Sequence, residues 1–106
     1  MKNKAWSTEE NGILVALYFT MLENALENRP YNKAAMIRAV QAEGLGARSR
    51  SSIEAKLMNC SAAHADLHPN AVTMADYGYK YAPNYQKALR ECVAAFSYQV
   101  DHIQYA

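Results

Sequence analysis

Apolar residues recur at helical spacing in four separate stretches of the chain, with polar residues between them. In the first stretch an apolar residue occupies every third or fourth position from Leu14 onward, and Ser7 with Glu10 forms a capping box before it. Pro30 disfavours helical geometry in the residue that precedes it, so this helix should end shortly before the proline. The predicted inward stripe consists of Leu14, Leu17, Tyr18, Met21, Leu22 and Ala25.

Two further amphipathic patterns follow, each with its own start signal. Asn32 suits the N-cap of a second helix, and Gly44 suits its end. Ser51 and Glu54 repeat the capping-box spacing at the start of a third helix. The predicted inward residues are Met36, Ile37 and Val40 in the second helix and Ile53, Leu57, Cys60 and His64 in the third.

A long irregular segment separates the third helix from the last one. Tyrosines alternate with other residues from Tyr77 to Tyr85, a pattern that suits either a short extended piece or rings that cover the core. Helical spacing returns from Asn84, and nothing in the sequence stops that helix before the C-terminus. Its predicted inward face is Tyr85, Leu89, Cys92, Val93, Phe96, Val100 and Ile103.

Together these patterns predict an all-α fold: a four-helix single domain with a Myb-like helix-turn-helix core and a long C-terminal helix. A chain of 106 residues is close to the commonest domain size, which favours one domain with one core. The predicted helices span residues 7–28, 32–43, 51–67 and 84–104.

The composition is that of an ordinary folded domain, with 51% hydrophobic and 20% charged residues. No apolar run approaches the roughly 20 residues that a membrane-spanning helix requires, and the first ten residues lack a signal peptide. We therefore expect a cytoplasmic protein. In that compartment Cys60 and Cys92 should be reduced and buried as small apolar residues.

Positive charge is concentrated in the middle of the chain, although the net charge is only +1. Residues 29–56 contain six basic residues against two glutamates, a local net charge of +4. The flanking segments are acidic or nearly neutral. The basic segment predicts a local surface that could meet an acidic partner. The low net charge argues against a protein that coats nucleic acid by bulk electrostatics.

A basic third helix that follows a turn is typical of helix-turn-helix DNA readers. Lys56 and Asn59 would then face the major groove, since lysine donates to guanine and asparagine pairs with adenine. Arg48, Arg50 and Ser52, near the helix start, would contact phosphates together with free backbone N–H groups. The alternative is a solvated helix face with a good cap.

Several motifs resemble those of known DNA-associated proteins. Trp6-Ser7-x-Glu9-Glu10, followed by Arg48-Ser49 and a capped third helix, resembles the Myb/SANT pattern. A larger set resembles the small N-terminal module that precedes nuclease or other effector domains in bacterial restriction-type proteins, HNH endonucleases among them. That set comprises Tyr18-Phe19-x-Met21-Leu22, Tyr31-Asn32-Lys33, Arg48-Ser49-x-x-Ser52-Ile53-Glu54-x-Lys56-x-x-Asn59-x-Ser61-Ala62 and Gly78-Tyr79-Lys80-x-x-Pro83-Asn84-Tyr85-Gln86.

This resemblance covers roughly residues 5–86 and implies a place in a DNA-associated defence system. The chain departs from the module at Cys60, where a β-branched residue is expected, and in residues 67–74, which lack a short apolar-proline run. We expect no nuclease domain after the fourth helix, so catalysis is not carried over. The resemblance also suits a regulator, a partner subunit or a mobile-element protein that imitates a host module.

No constellation of residues predicts catalysis or a cofactor. Cys60, His64 and His68 are spaced four apart, but a structural zinc site needs a fourth ligand, and His102 or Asp66 lacks a supporting motif. Neither thiol has a recognisable catalytic histidine with an orienting group. We expect a non-enzymatic protein without metal or cofactor.

Two functions from different classes follow. The first is DNA binding through Arg48, Arg50, Ser52, Lys56 and Asn59, with double-stranded DNA as the partner. The alternative is a protein-interaction module, an adaptor or inhibitor acting on a restriction or other defence complex. For the alternative, the last helix offers a face for a protein partner or a homodimer, and a possible interaction surface is formed by Tyr77, Tyr79, Lys80 and Tyr81.

Overall fold

The computed structural model describes residues 5–97 of the chain. The described residues contain four α-helices and no strand, which confirms the predicted all-α class. A short 3₁₀ turn, Met74–Tyr77, lies between the third and fourth helices. The helices are α1 Thr8–Leu26, α2 Lys33–Glu43, α3 Arg50–Leu67 and α4 Lys87–Ser97.

The first helix begins as its sequence predicts. The Ser7 hydroxyl accepts from the Glu10 backbone N–H at 3.1 Å, and the Ser7 N–H donates to Glu10 Oε1 at 3.0 Å, which completes the capping box. The inward stripe of α1 is buried except for Ala25, which is half-buried. Since α1 packs against α2, α3, α4 and the 3₁₀ turn, it is the central helix of the core.

The second helix lies along α1 and buries much less surface. Asn32 caps it by accepting from the Ala35 N–H at 2.9 Å, and Gly44 ends it, as predicted. Ile37 is its only fully buried residue, whereas the predicted core residues Met36 and Val40 are half-buried. The second helix therefore covers α1 only in part.

The third helix starts earlier than predicted, so the Ser51–Glu54 capping box is wrong. Ser49 is the N-cap, and its hydroxyl accepts from the Ser52 N–H at 3.1 Å. Glu54 instead accepts a hydrogen bond from the Tyr79 hydroxyl at 3.3 Å. The predicted inward face is confirmed, since its members Ile53, Leu57, Cys60 and His64 are all fully buried.

The fourth helix begins at Lys87, three residues after the predicted start at Asn84. Residues 98–104 of the predicted helix lie outside the described part of the chain. The tyrosine segment is not a strand, because it begins as the 3₁₀ turn and continues irregularly from Tyr79 to Gln86. Ring burial along it is uneven: Tyr79 belongs to the core, and Tyr81 is 54% exposed.

A buried polar network joins the helices inside the core. The Tyr18 hydroxyl lies 2.9 Å from Nδ1 of the fully buried His64 and accepts from the Met74 backbone N–H at 3.3 Å. Both groups are satisfied when Tyr18 donates to the imidazole. Burial, together with the neighbouring His68, lowers the pKa of His64 to about 4, so the imidazole is neutral at pH 7.

Candidate interaction surfaces

Arg48, predicted to contact phosphate, is held inside the fold by Glu10. Its Nε and Nη2 atoms donate to the two carboxylate oxygens at 2.9 and 2.8 Å, and Nη2 also donates to the Ala5 carbonyl at 3.0 Å. The Arg48 and Glu10 side chains are only 9% and 16% exposed. The Arg48 hydrogen bonds lower the pKa of Glu10 to about 2, which is the behaviour of a structural ion pair.

Trp6 completes a cluster around this ion pair. The Arg48 guanidinium lies 4.7 Å from the centre of the indole ring, and Lys56 Nζ lies 5.6 Å from it. Desolvation lowers the pKa of Lys56, and the neighbouring Arg48 lowers it further. We call these four residues, Trp6, Glu10, Arg48 and Lys56, the tryptophan cluster. It ties the segment before α1 to α3.

Asn59, predicted to pair with adenine, also makes a bond within the fold. Its Nδ2 donates to the Ala82 carbonyl at 2.7 Å, and the Ala82 N–H donates to the Met58 carbonyl at 3.3 Å. These bonds hold the segment before α4 against α3. The Nδ2 group that would donate to a base therefore already donates one hydrogen bond to backbone.

The first turn of α3 is the open part of the predicted DNA-binding site. Arg50 is 58% exposed and lies 3.6 Å from Glu54 in an i,i+4 ion pair. Ser51 is exposed, and Ser52 is half-buried. Of the five predicted site residues, the structure brings Arg48 and Lys56 together and leaves Arg50 most accessible.

A turn built on Gly78 holds the predicted tyrosine surface. Lys33 Nζ donates to the Tyr77 carbonyl at 2.6 Å and lies 4.6 Å from the centre of the Tyr79 ring. Gly78 has a φ of 109°, a backbone conformation that favours glycine, and the end of the Lys33 side chain lies against it. Burial and Glu54 raise the pKa of Tyr79 to about 12.

The four residues of the predicted tyrosine surface therefore differ in accessibility. Tyr79 is buried, Tyr77 is half-buried, and Lys80 and Tyr81 are exposed. The Tyr81 hydroxyl is 3.1 Å from the Thr73 hydroxyl, next to the exposed Val72. What remains of this surface is a small patch around Tyr81.

An apolar groove of about 340 Å³ lies between α1 and α2 and was not predicted from the sequence. A Cβ at Gly44 would collide with the end of the Ile13 side chain, so the end of α2 abuts α1 near its start. Glu43 therefore lies at the Ile13 end of the groove, and Thr20 lies at the other end. The apolar lining consists of Ile13, Ala16, Leu17, Met36, Ala39 and Val40.

Sequence reasoning missed this groove because it assigned Met36 and Val40 to the core. Both side chains contact the core, but both remain half-buried. The sequence of α2 did contain a signal. Met36, Ala39 and Val40 recur at i, i+3 and i+4, on a helix that buries only Ile37 completely. Lys33 was also not among the predicted site residues, although its Nζ donates to the Tyr77 carbonyl.

The spaced cysteine and histidines do not form a common site. Cys60 is buried, His64 bonds to Tyr18, and His68 Nε2 lies 3.1 Å from the Ser97 hydroxyl. Within residues 5–97, no group of three or more His, Cys, Asp or Glu side chains is arranged to hold a metal ion. Both cysteines are free thiols, with Cys92 only half-buried.

No protein-family model, curated protein or solved structure matches the chain. The resemblance to the restriction-associated module therefore remains a prediction from its motifs. Across the described helices, none combines the length and apolar character needed to cross a membrane.

Proposed function

We propose that this protein is a non-enzymatic protein-interaction module that binds a helix of its partner in the groove between α1 and α2. The observation that carries the proposal is the apolar groove itself, an open surface lined by six apolar residues from two helices. Concave sites of about this volume with a mainly apolar lining are where proteins commonly bind ligands.

The form of the groove favours a helical ligand. On α1 the lining residues recur at i, i+3, i+4 and i+7 from Ile13 to Thr20, and on α2 they do so from Met36 to Glu43. Two helices whose side chains line a shared groove at this spacing present the ridges between which a third helix packs. Apolar anchors of an amphipathic helix would then occupy the groove.

The proposal is tested by photo-crosslinking in the native cell. Ala39 is exposed on the wall of the groove, and p-benzoylphenylalanine there should crosslink one dominant protein. The same residue at Ala55, an exposed alanine on α3, is the matched control and should not capture that protein. Equal crosslinking from both positions, or none from Ala39, would contradict the proposal.

DNA binding is the second candidate, favoured by the exposure of Arg50 and Ser51 at the start of α3. In this version α1–α3 form the Myb-like core, and the first turn of α3 meets the phosphates. The long C-terminal helix remains part of the same hypothesis. The occupied side chains of Arg48 and Asn59 make this candidate the weaker one.

A salt series of duplex binding tests it. For a DNA module, the negative slope of log K against log salt should become shallower in an Arg50→Ala, Lys56→Ala double variant. A Lys87→Ala, Arg90→Ala variant removes the same charge from α4 and should leave the slope unchanged. If the native chain shows no salt-dependent binding to any duplex, this candidate is excluded.

A role in bacterial defence is proposed for either candidate from the motif resemblance, and the identity of the crosslinked protein would test it.

A further inference from the structure

We infer that the helix bound in the groove carries a lysine or arginine that pairs with Glu43 at one end of its apolar stripe. This inference rests on the proposed function and adds the charge of the ligand to it. It follows from the two ends of the groove, which differ in charge and in hydrogen bonding.

No charged side chain lines the Thr20 end of the groove, and the polar group there is used internally. The Thr20 hydroxyl donates to the Ala16 carbonyl within α1 at 2.8 Å. Met36 is the lining residue nearest the start of α2. A ligand therefore meets no net charge from the lining residues at this end.

The Glu43 end is negative. Glu43 is exposed, lines the groove and has no salt bridge among the residues that the structure describes. Glu43 is also the last residue of α2, where the helix dipole adds partial negative charge, and the last turn of α2 contains no basic residue. Carboxylate and helix end thus act together on any group placed there.

Glu9 extends this negative charge. It precedes Ile13 by four residues on α1, which places the two residues on the same helix face. Glu9 is exposed, and no salt bridge to it occurs within residues 5–97. The N-terminal dipole of α1 offsets part of its charge, so Glu43 remains the principal acceptor.

The complementary ligand is an amphipathic helix of defined pattern. The groove follows α1 from Ile13 to Thr20, a rise of about 10 Å at 1.5 Å per residue. That length accommodates apolar residues at i, i+4 and i+7 of the ligand. A cationic side chain one turn beyond the apolar stripe would reach Glu43 without leaving water, which favours it over a neutral or acidic residue.

Three stapled helical peptides test the inference against the whole chain. They share one apolar stripe and carry lysine, glutamine or glutamate one turn beyond both ends, so that the orientation of binding does not matter. Affinity is measured by calorimetry at low and high salt, and amide shifts of Ala39 and Val40 report binding in the groove. The lysine peptide should bind about five- to ten-fold more tightly than the glutamate peptide at low salt, and the ratio should fall at high salt.

Charge reversal provides the matched control. Glu43→Lys should reverse the preference in favour of the glutamate peptide, whereas Glu91→Lys, the same change at an exposed site on α4, should preserve it. Equal binding of all three peptides in the groove would overturn the inference and leave the proposed function standing. If no peptide shifts the groove resonances, both fail.

Discussion

The polar residues at and before α3 and the apolar residues of the groove between α1 and α2 differ in exposure from what their residue types suggest. The polar residues Arg48, Lys56 and Asn59 bond to the protein itself and join the segments before α1 and α4 to α3. The apolar residues Met36 and Val40 line an open surface. Residue type alone therefore does not tell which surface is free to bind a partner.

The difference comes from long-range contacts. Arg48 loses solvent because Glu10, 38 residues earlier, lies beside it and Trp6 covers the pair. Val40 keeps solvent because no described element covers α2 from the outside. A motif of basic and amide residues can thus be structural when acidic and aromatic partners are supplied from elsewhere in the chain.

The largest expected effect concerns the buried half of α3, and it is a pH dependence. The folded-state pKa of His64 is lowered from 6.5 to about 4, so the unfolded chain binds more protons between these values. His64 therefore leaves the free energy of unfolding unchanged above about pH 6.5 and lowers it as the pH falls toward 4, by about 3 kcal/mol. Urea unfolding across this range and an NMR titration of His64 measure it. A His64 pKa near 6.5 in the folded protein would contradict the burial.

The next effect separates a structural arginine from an exposed one on the same side of the molecule. Arg48→Ala should destabilise the fold by about 2–3 kcal/mol, less than a fully buried pair because both side chains retain some exposure. Arg50→Ala should cost less than about 1 kcal/mol. Urea denaturation compares the two variants at pH 7. Equal effects would mean that the tryptophan cluster contributes no special stability.

Arg48→Ala should also change the pKa of Glu10, and with it the pH dependence of stability below about pH 4.5. The ion pair lowers the pKa of Glu10 from 4.5 to about 2, so its stabilisation is present above 4.5 and is lost as the pH falls through 2. In Arg48→Ala the pKa of Glu10 should return toward 4.5, which carboxylate NMR detects. The capping box with Ser7 should persist in the variant and keep the pKa of Glu10 somewhat below 4.5, and an unchanged pKa of about 2 would contradict the role of Arg48.

A smaller effect is expected at Asn59. Asn59→Ala removes the donor to the Ala82 carbonyl and should cost about 1 kcal/mol. Ser52→Ala, on the same polar stripe but without a hydrogen bond to that segment among the described residues, should cost less. Thermal unfolding distinguishes them. If Asn59→Ala leaves stability unchanged but weakens binding to duplex DNA, the DNA-binding candidate gains over the groove.

The smallest stability effect is expected on the groove side. Ala39→Glu places a carboxylate in an exposed wall of the groove and should change stability by less than about 0.5 kcal/mol. It should nevertheless abolish binding of the apolar helix, because the charge would be buried beneath it. The peptide calorimetry described above measures this loss, and Ala55→Glu is the control. Retained binding in Ala39→Glu would place the ligand elsewhere.

Local rules explain which parts of the fold were predictable. The caps Ser7 and Asn32 and the inward faces of α1 and α3 depend on residues a few positions apart, and the structure confirms them. The start of α3 was placed wrongly because Ser49 and Ser51 are both capable caps. Likewise, Asn84 resembles a helix start, but the bonds of Ala82 to α3 keep the preceding backbone irregular.

The candidate site was less predictable than the fold. Hydrophobic spacing separates apolar from polar faces, but it does not reveal whether another element covers an apolar face. The sequence therefore predicted Met36 and Val40 as core residues and Arg48 as a side chain free to contact phosphate. Long-range contacts in the described structure decide both exposures. Glu10 covers Arg48, and no described element covers the outer side of α2.

The single fully buried side chain of α2 has a consequence for exchange of its amide hydrogens. Segments that bury little apolar surface open locally at a lower free-energy cost than the rest of a protein. Ile37 is the one fully buried side chain of α2, Met36 and Val40 contact the core only in part, and Lys33 holds the helix start to the Tyr77 carbonyl. The backbone amides of α2 should therefore exchange with solvent faster than those of α1 or α3. A helix bound in the groove would slow the exchange of the α2 amides. The helix that opens most easily would therefore also show whether the groove is occupied.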